Sequence, residues 1–217
     1  RQANRLLGRH AYDCTLVSID GEPVAASSGA RLMVDHDLTI TNLPDYAFVC
    51  AGVGVRSFEI EKFSGWLRKL LRHGANIGAI STAPFALAKL GLLDGYKCTI
   101  HWESLVSFRE EFPELTVTTN LFEIDRDRIT CAGATACIDL MLHMISAQFG
   151  HAMAASVSEQ YNLSQIRSAK DDQHLPPDVR LGSSNPKLLA ALVLMDANIE
   201  TPLNLSEISV NVDLSHR

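Results

Sequence analysis

Short β-branched runs alternate along the chain with segments of helical period, a pattern that predicts βα units and a largely parallel sheet. Tyr12 to Ser18 (YDCTLVS) is expected as a strand, with a turn at Asp20-Gly21 and a further extended piece near Arg31 to Val34. Tyr46 to Cys50 (YAFVC) is an apolar run ending at Ala51-Gly52-Val53-Gly54, the form of a buried strand followed by a glycine loop. Phe63, Trp66, Leu67, Leu70 and Leu71 then recur at helical spacing. Arg68, Lys69, Arg72 and His73 crowd the end of that helix before Gly74, a placement that suits the negative end of a helix dipole better than an anion site.

Ile77 to Ile80 reads as the next strand, with Ser81 at a sharp junction and a helix from about Ala83 to Leu90, Pro84 standing where a first turn tolerates it. Lys97 to Ile100 is expected as a short strand, and Glu103 to Glu111 as a helix stopped by Pro113. Leu115 to Thr118, Leu121 to Ile124 and Arg128 to Cys131 are expected to be extended. Ala132-Gly133-Ala134-Thr135 then turns the chain into its strongest helix, Ala136 to Phe149, with Ile138, Met141, Leu142 and Ile145 on one face. A polar stretch over 168–186 has no apolar period and reads as a linker. Leu188, Leu189, Leu192, Met195 and Ile199 mark a helix, Thr201-Pro202-Leu203-Asn204 a turn, Leu205 to Val210 a second helix, and Ser215 the start of a third. The expected organisation is therefore a main domain over 1–167, the linker over 168–186 and a helical segment over 187–217.

The opening RQANRLLGRHAY reads as the second half of an amphipathic helix without an initiator Met or a signal-peptide core, so sequence upstream is expected. The closing Asp213 to Arg217 reads as a cut-off helix entry, so sequence downstream is expected too. With 47% hydrophobic and 20% charged residues the 217-residue chain has globular composition, which excludes wholesale disorder. A net charge of −6 gives it no general attraction for nucleic acid. No run reaches the roughly 20 apolar residues of a membrane span. Cys14, Cys50, Cys98, Cys131 and Cys137 are odd in number and show no CxxC spacing, so they are expected to be buried cytosolic thiols. No HExxH or paired-ligand spacing occurs, and neither a metal nor a cofactor is expected.

Strand, Ala79-Ile80-Ser81-Thr82-Ala83, helix has the form of a nucleophile elbow, in which a tight turn lifts one side chain toward a helix N-terminus. His101 ends the next predicted strand, so Ser81 and His101 can meet at the carboxyl edge of a parallel sheet, where such folds bind ligands. Spacing alone favours a polar pocket or a helix N-cap over catalysis, because a serine needs a base within hydrogen-bond reach. His101-Trp102-Glu103 puts an imidazole, an indole and a carboxylate together, a set able to hold a cationic or zwitterionic ligand. Equally open is that Trp102 packs in the core and Glu103 serves its helix N-terminus. The loop at Gly52 and Gly54 can offer backbone N–H groups to an anion, although a lone GVG carries little; Gly133 is ambiguous in the same way. Lys187 and Arg217 stand against Asp196, Glu200, Glu207 and Asp213, so the carboxyl-terminal segment carries no phosphate-binding face. Its helices are either the supporting half of a helix-turn-helix or a small appendage packed on the main domain.

Four stretches taken together, GAISTAPFALAKLGLLDG, CTIHWESLVSFREEFPEL, ITCAGATACIDLMLHMI and NPKLLAALVLMDANIETPLNLSEI, resemble the AraC-family regulators that carry an amino-terminal class I glutamine amidotransferase-like domain of DJ/PfpI type. The resemblance covers nearly the whole chain and is strongest to bacterial regulators of arginine, glycine betaine and carnitine catabolism. It implies a flavodoxin-like α/β sensor domain with a largely parallel sheet between helices, a linker, and a truncated DNA-binding domain. Enzymes of the superfamily have cysteine where this chain has Ser81, and their histidine matches His101. Their acidic partner follows a first strand that would lie upstream of Arg1.

The resemblance thus implies a cytoplasmic, homodimeric sensor, an activator of catabolic genes whose degenerate cleft binds a small amino acid or quaternary amine through Gly52, Gly54, Ser81, Thr82, His101, Trp102 and Glu103. DNA would be bound by the missing carboxyl-terminal part, with no DNA-contacting residue inside this chain. The alternatives are a hydrolase or hydratase of the superfamily using Ser81 and His101, and a structural dimerisation domain.

Overall fold

The apolar runs Tyr46–Ala51 and Asn76–Ser81 form strands whose alternate residues face two different helical layers, in a computed structural model that describes residues 1–174, 177–199 and 201–214. The chain divides into two units, Arg1–Gln173 and His174–Arg217. In order, the first unit contains α1 (Gln2–Leu7), β1 (Val24–Ala25), β2 (Arg31–Leu32), β3 (Tyr46–Ala51), α2 (Glu61–Arg72), β4 (Asn76–Ser81), α3 (Pro84–Lys89), β5 (Lys97–Cys98), α4 (Leu105–Glu111), β6 (Thr116–Val117), β7 (Phe122–Asp125), β8 (Arg128–Cys131), α5 (Ala136–Phe149) and α6 (His151–Glu159). The second contains α7 (Pro177–Leu181), α8 (Pro186–Ala197) and α9 (Leu205–Asn211).

The central sheet has the order β3-β4-β8-β7, parallel except for the antiparallel hairpin of β7 and β8. Its register pairs Phe48 with Gly78 and Ile129, and Cys50 with Ile80 and Cys131, so these residues share one face. Ala47, Val49, Ile77 and Ala79 occupy the other. The second face joins Phe63, Leu67 and Leu70 of α2, Leu87 of α3 and Phe108 of α4 in one core, where Phe85 and Phe108 meet edge to face at 4.9 Å. Leu67 and Leu70 are fully buried, each worth about 1.5–3 kcal/mol of transfer free energy. The first face is covered by α5 through Ala136 and Leu140, and the outer side of α5 packs through Leu142 and Ile145 on Ala3 of α1 and Ala154 and Val157 of α6. Gly78 has no room for a side chain, since a Cβ there would fall 2.1 Å from the Phe48 ring.

Several expectations need correction. No strand forms over Tyr12 to Ser18; only Val17 makes a one-residue bridge, to His36. The Asn4 side chain takes the place of a ladder, accepting from the Tyr12 N–H at 2.8 Å and donating to its carbonyl at 2.6 Å. Cys14 and Cys50 are exposed rather than buried, Cys137 is half-buried, and only Cys98 and Cys131 lie in the interior. For Cys14 the reason is the missing strand, and Cys50 sits on the edge strand β3. Helix α6 carries no predicted counterpart. The 3-10 turn at Trp102–Ser104 precedes α4, so the helix expected from Glu103 begins at Leu105.

In the second unit, Asn185 caps α8 by accepting from the N–H groups of Lys187 and Leu188, and Asn204 and Glu207 form a capping box on α9. Lys187 Nζ reaches Asp213, and Arg180 pairs with Asp196 at 3.3 Å. The helix expected at Ser215 lies outside the described residues. Among the described residues no helix is long and apolar enough to cross a membrane.

Candidate functional site

Ser81 is the last residue of β4 and has φ 64°, the left-handed region that costs a non-glycine residue about 1–2 kcal/mol. Neighbouring structure imposes it: Ser81 pairs with Ala51 on β3, its carbonyl accepts the His101 N–H at 3.2 Å, and the Ala83 N–H closes a tight turn onto Ile80 at 3.1 Å. Gly133 backs onto it, because a Cβ at Gly133 would lie 2.7 Å from Ser81 Cβ and 3.1 Å from Oγ. Gly133 and Ala134 both have positive φ, 93° and 48°. The elbow is thus a strained serine walled by a glycine turn. Ser81 does not cap α3, whose preceding residue is Ala83 and which has no side-chain cap.

His101 is positioned by a buried polar network. The Thr99 N–H donates to Thr130 Oγ1 at 2.8 Å, and the Thr99 hydroxyl donates to the Asn120 carbonyl at 2.7 Å, which ties the chain after β5 to the sheet. Gln173 Nε2 then donates to the carbonyls of Ile100 and Asn120, each at 3.0 Å. His101 Nδ1 accepts a long 3.4 Å bond from the Glu103 N–H and lies 3.8 Å from the Glu103 carboxylate. The Trp102 ring stands 5.7 Å from the imidazole at a 31° tilt and is 43% exposed, so it does not fill the core.

From the other side the Thr82 hydroxyl donates to the Gly52 carbonyl at 2.7 Å, joining the glycine loop to the elbow. Gly54 instead closes its own turn, its carbonyl accepting the Ser57 N–H at 3.0 Å and hydroxyl at 2.7 Å. Of the expected residues, hydrogen bonds and ring contact therefore link Gly52, Ser81, Thr82, His101, Trp102 and Glu103, and leave Gly54 to the loop. The arrangement offers hydroxyls, an imidazole, an exposed indole and a carboxylate at one edge of the sheet. Among the described residues no group of three or more His, Cys, Asp or Glu side chains is placed to hold a metal.

Gln173 was not singled out by the sequence, lying in the stretch expected as a linker. The residues just before it are tied down as well: the Leu121 N–H donates to the Ala169 carbonyl at 2.9 Å, and Asp172 bridges Asn120. A separate cavity of about 220 Å³ is lined by Thr135, Ile138, Asp139, Leu163, Ser164, Gln165 and Arg167. Its charges already neutralise each other, since Arg167 gives Nε and Nη2 to Asp139 Oδ2 at 2.9 and 2.6 Å.

The profile of the DJ-1/PfpI family matches residues 3–147. Over all 217 residues the chain is 40% identical to the HTH-type transcriptional regulator GbdR of Pseudomonas aeruginosa, of which it spans 59%. It is 42% identical to the HTH-type transcriptional regulator CdhR of the same species, covering all of this chain and 64% of that one. The chain thus spans about three fifths of the length of these curated relatives. Among solved structures, an AraC family transcriptional regulator from Pseudomonas putida superposes with a TM-score of 0.66 at 28% identity, over 74% of this chain and 86% of that one.

Proposed function

The chain belongs to the DJ-1/PfpI family, and from that premise we propose that it is the effector-sensing part of an AraC-type transcriptional regulator. The effector is a small amino acid or quaternary amine held at the carboxyl edge of the sheet. One observation carries the reading: the half-exposed Trp102 indole beside His101 and the Glu103 carboxylate, next to an elbow that presents a hydroxyl. An indole face attracts a positively charged nitrogen, and a nearby carboxylate adds charge complementarity. A serine hydroxyl is effectively un-ionised at neutral pH, which removes the ready nucleophile and leaves a binding cleft.

In this reading Ser81, Thr82 and His101 supply hydrogen bonds, and the loop at Gly52 and Gly54 contributes backbone N–H donors. Binding biases the conformation or dimer contact of the sensor and so the DNA-binding part, which we assign to sequence of the whole protein outside these residues. The setting is the cytoplasm, the assembly a homodimer, and the outcome activation of catabolic genes. The domain boundaries of this reading are 1–167 for the sensor, 168–186 for the linker and 187–217 for the start of the helix-turn-helix domain.

The test is a thermal-shift screen against arginine, glycine betaine, dimethylglycine and carnitine, with product analysis of every hit. A saturable rise in melting temperature without product is expected, because a ligand that binds only the folded state stabilises it by mass action. Turnover abolished by Ser81→Ala would replace this reading with a hydrolase or hydratase, and the absence of any shift with a dimeric chain would replace it with a structural dimerisation domain.

A further inference from the structure

Cys131 ends β8 and Cys137 is the second residue of the fourteen-residue helix α5, with the Gly133 turn between them. Their sulfurs are 3.9 Å apart, and the Cys131 thiol donates to Cys137 Sγ. Cys131 is fully buried against the sheet, whereas Cys137 is half-buried at the N-terminal turn of α5. Cys50 shares the sheet face of Cys131, two strands away, and lies within electrostatic reach of Cys137 and Cys14. Four of the five cysteines thus gather near one end of the sheet.

We propose that Cys131 and Cys137 are a peroxide-reactive pair, in which Cys137 is the attacking sulfur and Cys131 the resolving one. The Cys137 thiolate attacks one oxygen of hydrogen peroxide; an S–O bond forms, the O–O bond breaks, and hydroxide leaves with the bonding pair and is protonated to water. The sulfur is oxidised by two electrons to a sulfenic acid as the peroxide is reduced. Cys131 then gives up its proton and attacks the sulfenic sulfur; an S–S bond forms, the S–O bond breaks, and the leaving hydroxide takes that proton as a second water. Two thiols and one peroxide become one disulfide and two waters.

The electrostatics favour that division of labour. The Cys131 hydrogen bond, aided by the Cys137 N–H and opposed by burial, brings the Cys137 thiol down to about 7, against about 8.5 for a free thiol. The same bond and burial, with repulsion from Cys137 and Asp139, push Cys131 up, so the buried sulfur keeps its proton until a sulfenic acid stands beside it. Disulfide closure requires the sulfurs to approach from 3.9 Å to about 2.05 Å, a shift that the half-buried Cys137 side chain and the turn after β8 can share. That turn carries Gly133, which walls Ser81, so closure would also press on the elbow.

The experiment uses the reduced 217-residue chain, treated with stoichiometric hydrogen peroxide, alkylated and mapped by peptide mass. A Cys131–Cys137 linked peptide that dithiothreitol reverses is expected, with two free thiols lost. In Cys131→Ala the sulfenic acid should persist at Cys137 and be captured by dimedone. On the untreated wild type, iodoacetamide should label Cys137 with a midpoint near pH 7. Oxidation confined to Cys14 or Cys50, no thiol loss, or a Cys137 midpoint above pH 8 would each overturn the proposal, and the wild-type arms keep it testable if the variant fails to fold.

Discussion

Gly133 and Ser81 meet so closely that a methyl group added to the first would sit 2.7 Å from Cβ of the second. Two residues with positive φ, from different βα units, thereby support each other: the turn after β8 excludes side-chain bulk and the strained serine occupies the space. Gly133→Ala should cost about 1–3 kcal/mol in urea unfolding, from the left-handed backbone and the overlap together. Unchanged stability would mean that the two turns are not in contact in solution.

Trp102→Ala should weaken binding of a quaternary ammonium effector by about 1–2 kcal/mol through lost attraction to the ring face, while Trp102→Phe retains part of it. Isothermal calorimetry measures the difference, and equal affinities for all three proteins would take Trp102 out of the site.

Gln173→Ala should release the stretch after Arg167 from the body of the first unit. The amide nitrogen ties Ile100 and Asn120 together at 3.0 Å each; its loss leaves the Ile100 carbonyl without that donor while the Asn120 carbonyl keeps the Thr99 hydroxyl, at about 1 kcal/mol. Hydrogen exchange should quicken at the Leu121 amide, which donates to Ala169. Exchange that stays at the wild-type rate would show that Gln173 does not hold this segment.

The pH dependence of stability has a contribution of known sign at Asp125. Arg126 Nε at 3.0 Å and the Lys97 N–H at 2.8 Å hold its carboxyl below the usual carboxylate range. A folded value below the unfolded one, about 3.9, adds stability above that pH and loses it as pH falls through the folded value. Wild type should therefore be more stable than Asp125→Asn at neutral pH, and their urea midpoints should converge below about pH 4. A gap that persists at about pH 2 would assign the difference to something other than this charge.

Much of the scaffold was legible in local pattern. The apolar run of 136–149 identifies α5 at its observed bounds from local pattern, but not the faces it buries: Ala136 and Leu140 meet the sheet, Leu142 and Ile145 meet α1 and α6, and Met141, expected on the face of Leu142 and Ile145, is exposed. Elbow and glycine loop were readable for a similar reason: Ser81 follows an apolar strand, and Pro84 sits where a first helical turn accepts it. Helix α6 has no periodic signal in the sequence because its small residues Ala154 and Val157 give little contrast, and only the facing side of α5 makes them core.

What sequence alone determined here is the run of strands and helices from Tyr46 to Phe149, since each of those elements follows from periodicity and neighbours a few positions away. Tertiary structure decided the rest. The Tyr12 segment stayed out of the sheet because Asn4 satisfied its backbone, and Cys14 was left exposed with it. Gln173 reaches carbonyls 53 and 73 positions earlier, and Gly133 meets Ser81 across two βα units. Such contacts have no sequence period, because they depend on which surfaces the folded sheet brings within hydrogen-bond or van der Waals reach.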